Sequence, residues 1–245
     1  MKIPKIIIFD IETSPVENLR FQKDRSPYIS ANSITNDSYM ISAAWKVLGE
    51  KTTHAVASQK VWDDLKTVKA LRTALSKADI LIGHNIDKFD LKYLNARLIY
   101  HSLPPLPAIA TVDTLKEVKK VAFFTSHSLG YLASYVLNEE KINVNFDLWK
   151  KVVVGNKTAL REMVRYNKQD VVVTEKWYNH LKPYMKAHPH IGVLTGQNRL
   201  CSCNKCGGTH LKKNGFRVTT AGLKKQEVQC LDCGSYQRIP IGLLK

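Results

Sequence analysis

The first 200 residues of this 245-residue chain contain no cysteine, because all five cysteines fall between Cys201 and Cys233. That distribution excludes a general disulfide framework and indicates thiols that bind metal in a reducing compartment. The chain also lacks an apolar run near the roughly 20 residues that span a bilayer, and its first residues lack the apolar core of a signal peptide. We therefore expect a cytosolic protein that does not enter a membrane.

Acidic residues are scarce beside basic ones. The chain has 21 Asp and Glu against 37 Lys and Arg, a formal net charge of +16. Residues 183–245 alone carry 10 basic and 2 acidic side chains. Such a surplus favours a polyanionic partner, with nucleic acid ahead of an anionic membrane surface.

Residues 1–182 alternate strand-like and helix-like segments, which predicts an α/β fold. A short turn at Gly49-Glu50 indicates an antiparallel hairpin, so we expect a mixed sheet. The pattern predicts strands over 5–11, 40–48, 52–58, 79–82 and 109–113, and helices over 62–77, 87–100, 127–137 and 158–181. Residues 14–38 and 138–156 show no clear period and are predicted to be irregular.

Composition changes after Lys182, where Pro183 and the cluster from His188 to His190 interrupt any helical pattern. A lysine-rich segment that contains the cysteines follows. We predict three regions, namely an α/β domain over 1–182, a linker without helix over 183–198, and a small cysteine-bearing domain over 199–245.

Two carboxylates, Asp10 and Glu12, stand two residues apart at the end of an apolar run. In a strand, side chains at this spacing share one face. Neighbouring anions repel each other and gain nothing as a buried pair, so the spacing favours a divalent cation between them. An isolated Asp-x-Glu is more often a solvated strand end, so the interpretation depends on other motifs.

Two further motifs supply carboxylates. The segment from Asn85 to Asp90 joins a short strand to a helix, where an acid in the first turn also complements the helix dipole. Tyr166 and Asp170 are four residues apart in a predicted helix and share a face. Each motif alone is weak evidence. Asp113, which also stands between a strand and a helix, is predicted to be a helix N-cap and not another ligand.

In order and spacing, the three motifs together resemble the 3′-to-5′ exonucleases of the ribonuclease H-like superfamily. The branch is the one named for four acids and a tyrosine, which includes the proofreading domain of family B DNA polymerases. The resemblance covers about residues 3–182 and implies a ribonuclease H-like mixed sheet flanked by helices. It also implies hydrolysis of phosphodiester bonds at the 3′ end of DNA.

The chemistry of phosphodiester cleavage fits two Mg²⁺ or Mn²⁺ ions about 4 Å apart, held by hard oxygen ligands. We assign the four carboxylates as metal ligands and the tyrosine as the group that orients the attacking water: Asp10, Glu12, Asp90, Asp170 and Tyr166. An exoribonuclease is an alternative, and a non-catalytic nucleic-acid-binding protein is the hypothesis from another class. The enzyme would act alone or be recruited by a replication or repair protein.

Substrate contacts follow only from resemblance and reach. The backbone of Ile11 and the side chain of Thr13 are expected to meet the 3′ end, and Asn85 to hydrogen-bond the sugar or phosphate of the terminal nucleotide. Phe89 either stacks on a base or packs under the helix, and packing is favoured. His84 is expected to be a structural hydrogen-bonding residue.

The cysteines form two Cys-x-x-Cys pairs, Cys203 with Cys206 and Cys230 with Cys233, separated by 23 residues. This spacing predicts one structural Zn²⁺, because four thiolates leave no open position for water. Cys201 is either an alternative ligand or a bystander, and the bystander interpretation is favoured.

Strand-like stretches over 210–218 and 226–229 lie between the two pairs. The region resembles the zinc ribbons of some transposases, although Asn204 stands where that type usually has proline. The resemblance and the charge imply a domain that grips nucleic acid through salt-sensitive phosphate contacts. A protein-docking ribbon is the alternative.

Overall fold

The computed structural model describes residues 3–19, 28–139 and 144–242. The strands of the amino-terminal region are β1 (Ile6–Thr13), β2 (Glu17–Asn18), β3 (Ile34–Asn36), β4 (Met40–Val47), β5 (His54–Ala57), β6 (Ile80–Gly83) and β7 (Ala110–Asp113). Its helices are α1 (Leu65–Leu75), α2 (Asp90–Tyr100), α3 (Thr114–Val121), α4 (Leu129–Leu137), α5 (Phe146–Val153) and α6 (Lys157–Leu181).

Five strands form the main sheet in the order β5-β4-β1-β6-β7. Strand β1 runs antiparallel to β4 and parallel to β6, and β4 forms a hairpin with β5. The predicted mixed α/β sheet is therefore confirmed, as are its five predicted strands.

Apolar clusters cover both faces of β1, and the alternation of its side chains determines which face carries its two carboxylates. Ile7, Phe9 and Ile11 pack in one apolar cluster with residues of α1 and α2. Ile6 and Ile8 point to the other face and pack in a second cluster with residues of α6. Because side chains alternate along a strand, Asp10 and Glu12 continue the face that meets α6.

Two segments predicted to be irregular contain regular structure. Within 14–38, β2 pairs with β3, and residues 31–33 form a 3₁₀ turn, while residues 20–27 lie outside the described ranges. Within 138–156, the structure has the eight-residue helix α5. The sequence signal for α5 was its N-cap, Asn145, whose side chain accepts a hydrogen bond from the Asp147 amide over 3.0 Å.

The predicted linker contains one helical turn, α7 (Ile191–Leu194), so the expectation of no helix there is wrong. His190 caps this turn through its ring, and Met185 and Ile191 are buried in the core cluster on the α6 face. Burial of these apolar side chains fixes the segment to the α/β core. The three predicted domain boundaries stay a prediction.

The cysteine-bearing region forms a second antiparallel sheet of β8 (Leu211–Val218), β9 (Lys224–Cys230) and β10 (Tyr236–Ile239), in the order β10-β9-β8. The first two strands match their predicted positions, whereas the four-residue β10 was not predicted. Along β8 the side chains are exposed from its second residue to its last. None of the helices in the described ranges has the length and apolar character needed to cross a membrane.

Candidate active site and metal centre

Three predicted catalytic carboxylates lie together where β1 meets α6. One oxygen from each of Asp10, Glu12 and Asp170 lies within 4.8 Å of the other two. Asp170 is buried in the middle of α6, and the two β1 acids are half-buried. Closely spaced anions with limited access to water are an arrangement that a divalent cation stabilises.

Asp90 approaches the same end of β1 from the opposite side. Strand β6 pairs with β1 only as far as Ile8, and beyond that point the Ile11 amide donates to the Asp90 carboxylate over 3.2 Å. Asp90 is 3% exposed, and burial raises the pKa of its carboxyl to about 7 although the Ile11 hydrogen bond opposes the shift. Asp90 therefore contacts the backbone of Ile11, which lies between Asp10 and Glu12 in β1. It lies outside the group of three acids whose oxygens are within 4.8 Å of one another.

Asn167 is a site residue that the sequence reasoning missed. Its side-chain amide donates a hydrogen bond to the Asp10 carboxylate over 2.7 Å, and its carbonyl accepts one from the Ser42 hydroxyl over 3.1 Å. Both Asn167 and Ser42 are completely buried. The available signal was the position of Asn167, one turn before Asp170 on the same face of α6.

The predicted catalytic tyrosine is held by a tryptophan from α5. Tyr166 is half-buried, and its ring meets that of Trp149 edge-on, with 6.2 Å between centroids and 74° between planes. Edge-to-face pairs of this kind restrict ring orientation. The helix missing from the sequence prediction therefore supplies the packing partner of Tyr166.

The junction between β6 and α2 is organised by Asp113. Its carboxylate caps α3 through the amides of Leu115 and Lys116, which confirms the predicted N-cap. The same carboxylate accepts hydrogen bonds from the backbone amide of Asn85 over 2.9 Å and from that of Asp87 over 3.2 Å. Asn85 has a φ of 75°, a left-handed backbone that asparagine tolerates better than most residues.

His84, just before this turn, has the predicted structural role. One ring nitrogen lies 2.9 Å from the Thr114 hydroxyl, and the other lies 2.8 Å from the His127 carbonyl. The imidazole thus links β6 to α3 and to the segment that precedes α4.

Phe89 does not pack under α2, so the favoured expectation is wrong. Its side chain is 44% exposed because it stands at the helix start, where it stacks on Tyr93 with 5.9 Å between ring centroids. The Tyr93 hydroxyl lies 2.8 Å from that of Ser38, which donates to the Ser14 carbonyl over 2.6 Å. The stacked rings of Phe89 and Tyr93 are therefore connected through Ser38 to Ser14, the residue that follows Thr13.

The four paired cysteines form a second cluster, with their sulfurs within 4.8 Å of one another. The Cys203 and Cys233 sulfurs are 3.7 Å apart, and those of Cys206 and Cys230 are 3.6 Å apart. These distances exceed a disulfide bond of about 2.05 Å. They approach the edge of about 3.8 Å expected for a tetrahedron with metal–sulfur bonds of about 2.3 Å. Cys201 lies outside the group.

Two equivalent turns present these sulfurs. Gly207 and Gly234, which follow the second cysteine of each pair, both adopt positive φ, 78° and 76°. In each turn the glycine amide donates to the carbonyl of the first cysteine, over 3.0 Å at Cys203 and 2.9 Å at Cys230. Burial raises the pKa of Cys230 to about 11, while hydrogen bonds led by Ser235 outweigh burial at Cys203 and lower its pKa to about 7.

The cysteine cluster sits against the end of α6. The buried ammonium of Lys205 donates to the Pro183 carbonyl over 2.8 Å. Burial, and then the charge of neighbouring Cys206 and Cys233, raises the pKa of the Tyr178 hydroxyl. That hydroxyl lies 2.8 Å from the His188 ring. The segment after α6 therefore contacts both α6, through His188, and the first cysteine turn, through Pro183 and Lys205.

The described fold is an α/β domain in which three carboxylates meet at the end of the central strand. A family model described as the RNase_H superfamily matches residues 7–182. The chain therefore belongs to the RNase H superfamily. No curated protein matches it.

Among solved structures, the chain is similar to the family B DNA polymerase from the hyperthermophilic archaeon Pyrobaculum calidifontis. The TM-score is 0.57 at 16% identity, and the match covers 74% of this chain and 25% of that one. The chain thus spans a quarter of the length of the polymerase, and the likeness at this identity concerns the fold.

Proposed function

We propose that the protein is a metal-dependent 3′-to-5′ exonuclease of the type with four acids and a tyrosine, which releases nucleoside monophosphates from DNA. The convergence of Asp10, Glu12 and Asp170 from two distant parts of the chain carries this proposal. Asp90 and Tyr166 flank that group on α2 and α6. Similarity to a DNA polymerase makes DNA the first candidate substrate.

The carboxylate group fits Mg²⁺ or Mn²⁺, which prefer hard oxygen ligands. Asp10, Glu12, Asp90 and Asp170 would hold two such ions. When bound, the ions would offset charge on the phosphoryl oxygens and acidify a water molecule.

The protein's own groups orient the reactants. Tyr166, whose ring packs against Trp149, would position the attacking water by a hydrogen bond, because a neutral phenol is a poor base. Phe89 has the exposure to stack on a base near the 3′ end. Asn85, Ile11 and Thr13 stand near Asp90 and Glu12 and would contact the terminal nucleotide.

The four-cysteine cluster fits one structural Zn²⁺, because the sulfurs are spaced for a tetrahedron and all four ligands are protein thiols. We propose a zinc ribbon that helps to capture nucleic acid. Its surplus of Lys and Arg supports phosphate contacts over protein docking.

A 5′-labelled single-stranded DNA and an RNA of the same sequence test the activity. With Mg²⁺ or Mn²⁺, we expect a ladder of DNA products shortened from the 3′ end, and no ladder with chelator. Asp10→Asn should abolish the ladder, whereas the matched control Asp147→Asn, an exposed acid on α5, should cleave normally. Equal cleavage by Asp10→Asn would overturn the catalytic assignment.

The same assay separates the alternatives. Degradation of the RNA strand alone would identify an exoribonuclease. Tight binding of both strands without any cleavage would identify a non-catalytic binding protein.

A further inference from the structure

A cleft of about 390 Å³ lies where the segment after α7 meets β9 and β10. Its polar lining comes from His190, Arg199, Asn204, Lys225, Gln237 and Arg238. We call it the basic cleft. Its volume is within the range of ligand-binding pockets.

Three cations from separate parts of the chain converge here. Arg199 precedes the first cysteine pair, Lys225 belongs to β9, and Arg238 belongs to β10. No acidic side chain lines the cleft, and within the described ranges none of the three cations forms an ion pair. By contrast, the nearby Arg217 pairs with Glu227 over 3.1 Å. Glu227 lies opposite Arg238 in the register of β9 and β10 but is itself paired with Arg217. The cleft therefore gathers three cations without an ion pair, which favours an anionic ligand.

The wall of the cleft is ordered by hydrogen bonds. The side-chain oxygen of Gln237 accepts a hydrogen bond from the backbone amide of Asn204 over 2.9 Å. Its side-chain nitrogen donates to the Ser202 carbonyl, also over 2.9 Å. His190 lies 3.1 Å from the Arg199 carbonyl and so holds the backbone that presents this cation. These contacts arrange the cleft before any ligand arrives.

One buried acceptor in this wall is unsatisfied. Among the described residues, the side-chain oxygen of Asn204 has no hydrogen-bond partner although it is inaccessible to water. Because this oxygen is buried, a ligand in the cleft would contact the cations and not this atom.

We propose that the basic cleft binds a phosphodiester segment of the nucleic-acid substrate. Arg199, Lys225 and Arg238 contact its phosphates. Cations distributed over three segments suit a repeating polyanion, and the planar guanidinium of arginine matches the geometry of phosphate. The inference deepens the proposed nuclease function, on which it depends for the identity of the ligand.

Binding is tested with the full-length, zinc-loaded chain in an Asp10→Asn background, by fluorescence anisotropy of a labelled single-stranded 20-mer. Arg199→Gln, Lys225→Gln and Arg238→Gln should each weaken binding, roughly fivefold or more at low salt. Each should also reduce the slope of log K against log salt by about 0.7, the contribution of one phosphate on a single strand. Arg238→Lys, which keeps the charge, should keep the slope.

Lys66→Gln and Lys69→Gln are the matched controls, because both lysines are exposed on α1, outside the cleft and outside the cysteine-bearing region. We expect them to bind within twofold of the parent. Zinc content and circular dichroism would show that each variant is folded. Unchanged affinity and slope in all three cleft variants would overturn the inference.

Failure of this inference and failure of the proposed function give different results. If the unmodified protein degrades DNA but the cleft variants bind normally, the nuclease proposal stands and the cleft assignment is wrong. If the unmodified protein degrades nothing but the cleft variants lose affinity, the cleft binds nucleic acid and the catalytic proposal fails.

Discussion

The buried amide of Asn167 donates a hydrogen bond to the carboxylate of Asp10 over 2.7 Å. Because an ionised carboxylate only accepts, Asn167 must turn its NH2 group toward Asp10, and its carbonyl then accepts from the Ser42 hydroxyl. Ser42 lies directly across from Glu12 in the register of β1 and β4. One buried chain of hydrogen bonds therefore fixes the Asp10 carboxylate, the first of the three grouped acids.

Asn167→Ala should loosen Asp10 and weaken both metal binding and cleavage. Removing a group that orients a metal ligand typically costs 10–100-fold in affinity or activity, and we expect a loss of about that size. A Mg²⁺ titration of the initial cleavage rate would measure it as a raised half-saturation concentration. Glu162→Ala, on the exposed face of α6, is the control and should titrate normally. An unchanged Mg²⁺ dependence in Asn167→Ala would show that Asp10 needs no such support.

Trp149→Ala should reduce the turnover rate several-fold with little change in KM, because it frees the ring of Tyr166. A double-mutant cycle with Tyr166→Phe tests the mechanism. If Trp149 acts by orienting the Tyr166 hydroxyl, its removal should have little further effect once that hydroxyl is gone. Phe146→Ala, at an exposed position of α5, serves as the control. Fully additive losses would contradict the orienting role.

The buried carboxylate of Asp64 leads us to expect that the folded protein loses stability at acid pH. It is completely buried, and Arg97 donates to both of its oxygens over 2.7 and 2.8 Å. Burial opposes ionisation, but these hydrogen bonds and the Met40 amide outweigh it and lower the pKa of the Asp64 carboxyl. A lowered folded-state pKa gives stability that is complete above the unfolded pKa of about 3.9 and is lost as pH falls through the folded value.

In Asp64→Asn, urea unfolding at neutral pH should show a loss of about 3–5 kcal/mol, because Arg97 is left buried without a carboxylate. The variant should also lose less additional stability than the parent when pH falls below about 4. Asp63→Asn changes the exposed neighbouring acid and should follow the parent curve. Parallel pH curves for Asp64→Asn and the parent would refute the assignment.

Cys206→Ser should remove the zinc and unfold the cysteine turns. The unmodified chain should bind about one zinc ion, and the variant close to none, because structural zinc sites of this kind require all four ligands. Cys201→Ser should retain the metal, since its sulfur lies outside the cluster. Zinc release measured with a colorimetric chelator compares the three proteins, and equal zinc content would contradict the site.

The sequence predicted those features of the site that depend on the spacing of nearby residues along the chain. Period-two alternation placed Asp10 and Glu12 on one face, and helical spacing placed Tyr166 with Asp170. Asn167 could not be recognised as a support for Asp10, because that role depends on the distant Ser42 being brought beside Glu12 by strand pairing. Helix α5 was missed because a helix of two turns has too few residues to show a clear period.

Short regular elements account for the other differences. The single turn α7 contains Gly192, where an added Cβ would lie 2.1 Å from the Ser202 hydroxyl oxygen, so packing selects a residue that helices otherwise disfavour. The solvent-facing position of Phe89 follows from where α2 begins, which spacing alone does not define.

Helix α6 connects the three grouped acids to the segment that carries Met185 and Ile191. From Asp170 to Leu181 it rises by about 17 Å at 1.5 Å per residue. A stacked strand advances about 3.4 Å per nucleotide, so this span corresponds to about five nucleotides. If the strand also contacts the basic cleft, fragments of only a few nucleotides should be digested more slowly than longer ones, because they lose that contact.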